Sequence, residues 1–234
     1  MAYAPPDRGT FRAILYRSLR DPSGQVFPAA TVNDFITEAM MDLGYYRPHE
    51  TVRTMAWDED TIGPDITMMD DVIDVWQVVA RIDDTPVTPR PTLYIPHADY
   101  ATGRAGWDVV NHQLRLSRFW IAKLQQLAKR EENLSLQSYG YGPRALPSSD
   151  ASIMDWHDMT DQFVVTQHCK MLGFQMLNAD RALYQQWLAA TNNTDVSPTQ
   201  LAGMLNQSEG AFDRARHRAT LVRRVPSNAA PVWF

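Results

Sequence analysis

The spacing of hydrophobic residues changes twice along this 234-residue chain, and that change restricts its fold more than any other feature. Apolar residues near both ends recur at the spacing of amphipathic helices, whereas the middle of the chain concentrates β-branched and aromatic residues between turn residues. Helical segments on either side of a β-rich one predict an α+β protein. We expect a helical bundle formed by the N- and C-terminal segments, with a β-rich insertion between them.

Residues 1–48 predict a helical pair. The first helix spans residues 10–20 and is ended by the turn residues that follow it. The second begins with Thr31 as its N-cap, and Gly44 is expected to end it. Its apolar residues keep helical spacing throughout: Val32, Phe35, Ile36, Ala39, Met40 and Leu43.

Residues 49–148 form the predicted β-rich insertion. Asn111 and His112 separate two of its strands by two residues, which indicates a hairpin. A short helix at residues 117–130 interrupts the strands. The predicted strands span residues 51–57, 72–82, 92–95, 107–110, 113–116 and 133–141.

Residues 149–224 predict the helices that complete the bundle. The pattern over residues 158–178 and 180–190 is helical, and it leaves open whether these form one helix or two. Ser197 and Pro198 are a favourable N-cap and first helical residue, and they open a last helix that continues to about Val222. Residues 225–234 are irregular and form the predicted extended C-terminal arm.

Composition and charge exclude several classes of protein. Cys169 is the single cysteine, so neither an intrachain disulfide nor a cysteine-based zinc site can form, and we expect a reducing compartment. No apolar stretch approaches the roughly 18 residues of a membrane span, so we expect neither secretion nor a membrane location. The net charge of −5 argues against a dedicated nucleic-acid-binding protein.

Catalytic signatures are missing from the sequence, which has no Gly-rich phosphate loop, nucleophile elbow or His-Glu-x-x-His motif. We therefore expect no catalytic residue, no metal and no cofactor. One group departs from this: His157, Asp158 and Asp161 could form part of a metal-dependent hydrolase site. The alternative is that acidic residues at a helix start favour the helix dipole, with the histidine at the surface.

Two stretches carry strong charge of opposite sign. Residues 57–84 hold nine acidic residues against the single base Arg81, and residues 211–224 are rich in arginine. A subunit with one acidic and one basic patch can form a head-to-tail contact with its copies, which closes into a ring when the rotation permits. The candidate inter-subunit contacts are Asp58, Glu59, Asp60, Asp70, Asp71, Arg214, Arg216, Arg218, Arg223 and Arg224.

The order of elements resembles the head-to-tail adaptor (connector) proteins of tailed bacteriophages. The resemblance extends over nearly the whole chain. It depends on the opening helices Thr10–Arg20 and Thr31–Leu43, the insertion containing Trp107–Leu116, the helical stretch Asp161–Leu183, the last helix with Ala211–Arg218, and the Pro-containing tail.

This resemblance implies a non-enzymatic component of the virion neck, made in the cytoplasm of the host bacterium. Its copies would form a ring, usually twelve-fold, between the portal protein and a downstream tail or neck protein. Double-stranded DNA would pass through that ring with only transient, non-specific contact. The arm would reach the portal or a neighbouring subunit, through Val225, Pro226, Pro231, Val232, Trp233 and Phe234.

Two alternatives stay open. The chain could be another neck or tail-completion ring protein, which differs only in the neighbour it meets. It could instead be a carbohydrate- or peptide-binding module whose insertion carries a platform of aromatic residues. That platform would comprise Trp57, Trp76, Tyr94, Tyr100, Trp107, Tyr139 and Tyr141.

Overall fold

A computed structural model of the chain describes residues 3–56, 65–67, 74–82, 85–86, 93–94, 106–110, 113–129, 134–190 and 196–220. These residues contain both helices and strands, which confirms the α+β class. They divide into two compact units, one of residues 3–48 with 144–220 and the other of residues 49–143. We call them the helical unit and the β unit.

The elements are numbered in chain order, and the helical unit holds all helices except α3. They are α1 (Arg8–Ser18), α2 (Ala29–Tyr46), β1 (His49–Ala56), β2 (Asp65–Thr67), β3 (Asp74–Ile82), β4 (Thr85–Pro86), β5 (Leu93–Tyr94), β6 (Gly106–Val110), β7 (Gln113–Leu116), α3 (Arg118–Ala128), β8 (Leu134–Gly142), α4 (Met159–Ala179), α5 (Arg181–Ala190) and α6 (Pro198–Ala219).

Helix α4 is the centre of the helical unit. Its buried residues are distributed around most of the helix, which is typical of a helix packed on several sides, and α1, α2, α5 and α6 all pack against it. Residues near the end of α2 contact the start of α4, and α6 likewise runs antiparallel to α4. The largest buried core residues of this unit are Phe11, Leu15, Leu19, Phe27, Ile36, Met40, Leu43, Phe174 and Trp187.

The predicted ends of α2 are wrong at both sides. The helix begins at Ala29, after Pro28, so Thr31 lies inside the first turn rather than at the N-cap. It continues through Gly44 to Tyr46. Gly44 is buried, and a Cβ there would lie 3.2 Å from the backbone nitrogen of Arg144. The glycine therefore permits close approach of the chain that returns from the β unit, and it does not reverse the helix.

The helices near the C-terminus follow the capping rules of the sequence. Asp180 separates α4 from α5, so there are two helices here, and its carboxylate accepts the N–H groups of Ala182 and Leu183. Ser197 and Gln200 form a reciprocal capping box at the start of α6, as the Ser-Pro pair predicted. Helix α6 ends at Ala219, three residues before the predicted end.

The β unit contains two four-stranded sheets. The first has the order β1-β8-β3-β4 and is antiparallel, with the long strands β1 and β3 on either side of β8. Gly140 of β8 lies very close to the backbone of β3, because a Cβ at this position would lie 2.2 Å from the carbonyl oxygen of Asp74. The register shifts between Val75 and Gln77 at this point.

The second sheet has the order β2-β7-β6-β5 and contains the predicted pair β6 and β7 in antiparallel register. The short strands β2 and β4 are not anticipated by the sequence pattern. Helix α3 adds its apolar face to the core of the β unit, which both sheets share. The most buried residues of this core are Val78, Ala80, Trp107, Leu114, Leu116, Trp120, Leu124 and Leu136.

Candidate interaction surfaces

Three of the predicted inter-subunit residues belong to the described part of the chain. Arg214, Arg216 and Arg218 lie in the last turns of α6, and all three are exposed. The other predicted contacts and the whole arm lie outside the described residues. These are Asp58, Glu59, Asp60, Asp70, Asp71, Arg223, Arg224, Val225, Pro226, Pro231, Val232, Trp233 and Phe234.

Helix α6 presents a basic face. Arg214 and Arg218 are four residues apart and lie one turn above the other on the surface. The guanidinium of Arg216 lies 5.4 Å from the ring centre of Tyr46, a cation–π contact to the end of α2. Basic residues also suit the last turn of a helix, because they complement its negative dipole end. Arg216 is therefore partly engaged within the chain, and Arg214 and Arg218 form the exposed basic face of α6.

Helix α2 presents a different stripe to the solvent. Asp34, Glu38, Met41 and Tyr45 follow one another at helical spacing and are all exposed, with Met41 at 62% and Tyr45 at 69%. The stripe is acidic near the start of the helix and apolar near its end. We call it the α2 stripe.

A network of ion pairs around the buried Asp161 joins the end of α2 to the start of α4. Asp161 is fully buried, and its carboxylate forms ion pairs with the guanidinium groups of Arg144 and Arg47, each at 3.1 Å. Arg47 also pairs with Asp158 at 2.7 Å, while the Asp158 carboxylate accepts the N–H groups of Thr160 and Asp161 and so caps α4. The Arg144 side chain further donates to the carbonyl oxygens of Arg47 and Asp155.

This network argues against the hydrolase alternative built on His157, Asp158 and Asp161. Both carboxylates are paired with the guanidinium groups of Arg47 and Arg144 rather than free to bind a metal ion. His157 is exposed, and its backbone N–H donates to Asp161 at 2.7 Å. Among the described residues, no group of three or more potential ligands could hold a metal ion.

Asp150 forms a second, exposed ion-pair cluster at the start of α1. Its carboxylate forms ion pairs with the guanidinium groups of Arg12, at 2.6 Å, and Arg8, at 3.1 Å. The hydrogen bonds from Arg12 lower the pKa of Asp150 from its ordinary value to about 2. The backbone N–H of Gly9 donates to the carbonyl of Asp150. These contacts hold the segment around Asp150, which follows the β unit in the sequence, against the start of α1.

His168 and Cys169 lie side by side on α4 and do not act together. The His168 ring lies 4.3 Å from the ring centre of Phe212, with Nδ1 3.5 Å from Asp42. Burial lowers the pKa of His168, although Asp42 opposes the shift. Cys169 is fully buried and burial raises the pKa of its thiol, so it is an inert apolar residue.

The aromatic platform of the binding-module alternative is not assembled as predicted. Trp107 and Tyr141 are 1% and 2% exposed, so they are core residues and cannot contact a ligand. Trp76 and Tyr139 are partly exposed and lie 5.6 Å apart between ring centres. Trp57 and Tyr100, and the side chain of Tyr94, lie outside the described residues.

A cavity of about 300 Å³ opens between α1, α4 and α6. Its lining contains the cations Arg20 and Lys170 and no acidic residue. Neither cation has a carboxylate within 4 Å among the residues that the structure describes. The Lys170 ammonium lies 5.8 Å from the ring centre of Phe174. The remaining lining residues are Ser18, Gln167, Met204, Gln207, Ser208 and Ala211.

Arg20 reaches this cavity from a strained backbone position. Helix α1 ends with a pair of hydrogen bonds, from the N–H of Arg20 to Arg17 and from the N–H of Asp21 to Tyr16. This motif places Arg20 in the left-handed region, with φ of 56°, where glycine is favoured. Among the described residues, Arg20 is the only non-glycine residue with positive φ. Sequence analysis missed it, because only its position after the helix end distinguishes it.

Comparison with protein-family models gives no match, and a search of curated proteins finds none that is significantly similar to this chain. No helix among the described residues is both long and apolar enough to cross a membrane.

Proposed function

We propose that this chain is a head-to-tail adaptor of a tailed bacteriophage, a structural subunit whose copies form a ring below the portal. The ring joins the capsid to the tail and lets double-stranded DNA pass. The observation that carries the proposal is the layout: residues 3–48 and 144–220 pack into one helical unit around α4, and the β unit of residues 49–143 is inserted between them in the sequence.

The distribution of charge supports self-association. Arg214 and Arg218 form an exposed basic face on α6, and the acidic residues proposed to meet it in a neighbouring copy are Asp58, Glu59, Asp60, Asp70 and Asp71. Two different patches of opposite charge produce a head-to-tail contact rather than a two-fold one. Contacts of this kind generate rings when the rotation between subunits closes, with twelve copies as the number that the resemblance implies.

The state of the ionisable groups supports a non-enzymatic role. The carboxylates of Asp158 and Asp161, which share Arg47, are neutralised by Arg47 and Arg144. A general acid or base needs a proton that substrate can reach, whereas Asp161 is fully buried and both carboxylates are held in ion pairs. The work of the protein then lies in the surfaces it shares with its copies and its neighbours.

The partners follow from this role. Residues 225–234 form an extended arm that binds the portal or an adjacent subunit, with Trp233 and Phe234 as aromatic anchors. A downstream tail or neck protein binds the opposite end of the ring, and the assembled ring resides in the virion neck. DNA in the lumen is held weakly, since each phosphate contact that a fixed cation makes would add affinity and friction.

Negative-stain electron microscopy of the purified chain tests the proposal. We expect closed rings, and we expect the rings to bind the portal protein of the same phage. Removing residues 225–234 should leave rings that no longer bind the portal. Single particles under all conditions, with and without the portal, would contradict the adaptor role.

A charge variant makes the test specific to α6. Arg214→Glu with Arg218→Glu should fold normally and lose the rings, because both residues are exposed. Arg181→Glu is the matched control, since Arg181 is an exposed arginine of α5 outside the basic face. We expect it to form rings as the unaltered chain does.

A further inference from the structure

The uncovered face of α4 is the starting point. Met159, Phe163, Gln167 and Lys170 follow one another at helical spacing and, at about 100° per residue, fall within an arc of roughly 80°. Met159 is 70% exposed and Phe163 is 51% exposed, whereas Gln167 and Lys170 line the cavity between α1 and α6. This face is therefore exposed and apolar at the start of α4, and further along it leads into the cavity that Arg20 and Lys170 line. We call it the α4 groove.

The cationic end of the groove has two marks of a binding site. Arg20 and Lys170 have no carboxylate partner among the described residues, unlike Arg8, Arg12, Arg47 and Arg144, which are all paired with aspartate. Arg20 also keeps a left-handed backbone conformation in which glycine would cost less. The carboxylate of Asp21 accepts the N–H groups of Gln25, Val26 and Phe27 and forms no ion pair with Arg20. Among the described residues, no carboxylate is paired with the two cations of the groove.

The α2 stripe matches the groove in length and in character. From Asp34 to Tyr45, and likewise from Met159 to Lys170, the helix advances 11 residues, or about 16 Å. Both surfaces are charged over one half and apolar over the other, and the charges are opposite. An α2 stripe laid antiparallel to α4 would place Asp34 and Glu38 against the cations.

The two surfaces also lie on opposite sides of the helical unit. Asp161 and His168 are the α4 residues that contact Arg47 and Asp42 at the α2 side. Measured around the axis of α4 from Met159, Asp161 and His168 lie at about 180° to 200°. The residues of the groove lie between about 0° and 80°. The α2 stripe itself faces away from α4, because the opposite face of α2 is buried. The α2 stripe of one copy can therefore bind a second copy while its own α4 groove binds the α2 stripe of a third.

We propose that the α4 groove binds the α2 stripe of a second copy of this chain. Asp34 and Glu38 of one copy lie against Arg20 and Lys170 of the next, and Met41 and Tyr45 lie against the apolar residues of the groove. The contact repeats the antiparallel α2–α4 packing that exists within one chain. It rests on the proposed function in one respect, since both require that the copies associate.

Charge reversal on each surface tests this pairing. Arg20→Glu with Lys170→Glu reverses the groove, and Asp34→Lys with Glu38→Lys reverses the stripe. Each double variant should be monomeric by light scattering at concentrations where the unaltered chain assembles, and each should keep its circular dichroism spectrum. Arg181→Glu, on α5, should assemble normally.

Mixing the two double variants gives the decisive result. Neither associates with itself, but each stripe matches the groove of the other, so an equimolar mixture should recover the assembled mass. The chain carrying all four reversals should also assemble. Recovery would not follow from two merely destabilising changes, which makes this readout independent of folding.

The possible failures are distinguishable. If the unaltered chain assembles and both double variants assemble equally well, the α2–α4 contact is wrong and the adaptor role stands. If both variants are monomeric but neither the mixture nor the fourfold variant recovers, the groove takes a different occupant, and the proposed pairing is overturned. If the unaltered chain never assembles, the inference and the adaptor role fail together.

Discussion

The guanidinium of Arg144 lies 3.1 Å from the carboxylate of Asp161, and both side chains are fully buried. Arg144 belongs to the first residues that return from the β unit, and Asp161 lies in the first turn of the central helix α4. Burial lowers the pKa of Arg144, which Asp161 and Asp155 oppose. The pair fastens the returning chain to the core of the helical unit.

Asp161→Asn should lower the free energy of unfolding of the helical unit by about 3–5 kcal/mol, because it leaves the buried Arg144 with only the more distant carboxylate of Asp155, at 3.9 Å. Urea unfolding followed by circular dichroism measures the loss. The control is Asp150→Asn, which breaks an exposed pair with Arg12, and we expect a much smaller effect from it. Equal effects of the two variants would show that burial does not determine the strength of the Arg144–Asp161 pair.

Gly173 of α4 marks the closest approach of α1, since a Cβ there would lie 2.4 Å from Leu19 Cδ2. Leu19 is fully buried and has little room to move. Gly173→Ala should therefore destabilise the helical unit by about 1–3 kcal/mol, despite the better helix propensity of alanine. A thermal melt measures the change.

Gly203 of α6 is the matched control, because a Cβ there would meet nothing within 4 Å. Gly203→Ala should stabilise the protein by about 0.5–1 kcal/mol. A shorter residue at Leu19 should relieve the Gly173→Ala defect in the double variant. If Gly173→Ala raised the melting temperature as Gly203→Ala does, the close packing of α1 on α4 would be wrong.

The sequence predicts local structure well here, because the signals that determine it are local. Ser197 and Pro198 predict the start of α6 correctly. Asp158, where the pattern predicts that a helix begins, is the N-cap of α4. The antiparallel pairing of β6 and β7 follows from two short apolar runs two residues apart. In each case the residues that decide the conformation are neighbours along the chain.

The sequence predicts the candidate site poorly, because its residues come together from distant positions. Arg47 and Arg144 are 97 residues apart, and nothing near either one indicates that both surround Asp161. Gly44 has the sequence signature of a helix end, yet tertiary packing against Arg144 explains it. The α4 groove is likewise hidden, since Met159, Phe163 and Lys170 look like ordinary helical residues until α1 and α6 are placed beside them.

His168 should make the stability of the helical unit depend on pH. Burial lowers its pKa below the ordinary 6.5, and the neighbouring Asp42 and Glu38 raise it while Arg216 lowers it further. As the pH falls, His168 is therefore protonated in the unfolded chain before it is protonated in the folded one. The free energy of unfolding is full above about pH 6.5 and decreases as the pH falls toward the pKa of His168 in the folded protein. Melting temperatures between pH 8 and pH 5 measure this slope.

His168→Gln should flatten that slope, since the substituted side chain does not titrate. His217→Gln is the comparison, because His217 is exposed on α6. It should keep the acid-induced loss of the unaltered protein. An unchanged slope in His168→Gln would assign the loss to another group.

Arg20→Gly should separate stability from assembly. Glycine accepts the left-handed backbone at this position, so the variant should be more stable to urea by about 1 kcal/mol. The same change removes one of the two cations of the α4 groove, so the variant should assemble only at higher protein concentration. A variant that is both more stable and equally competent to assemble would show that the arginine side chain has no part in the contact.

The molar mass of the full chain, measured by light scattering over a range of protein and salt concentrations, tests the central claim most directly. If copies of this subunit join through oppositely charged surfaces, the mass at low salt corresponds to a closed ring and falls as salt screens the contact. A monomer at every protein and salt concentration would contradict the account.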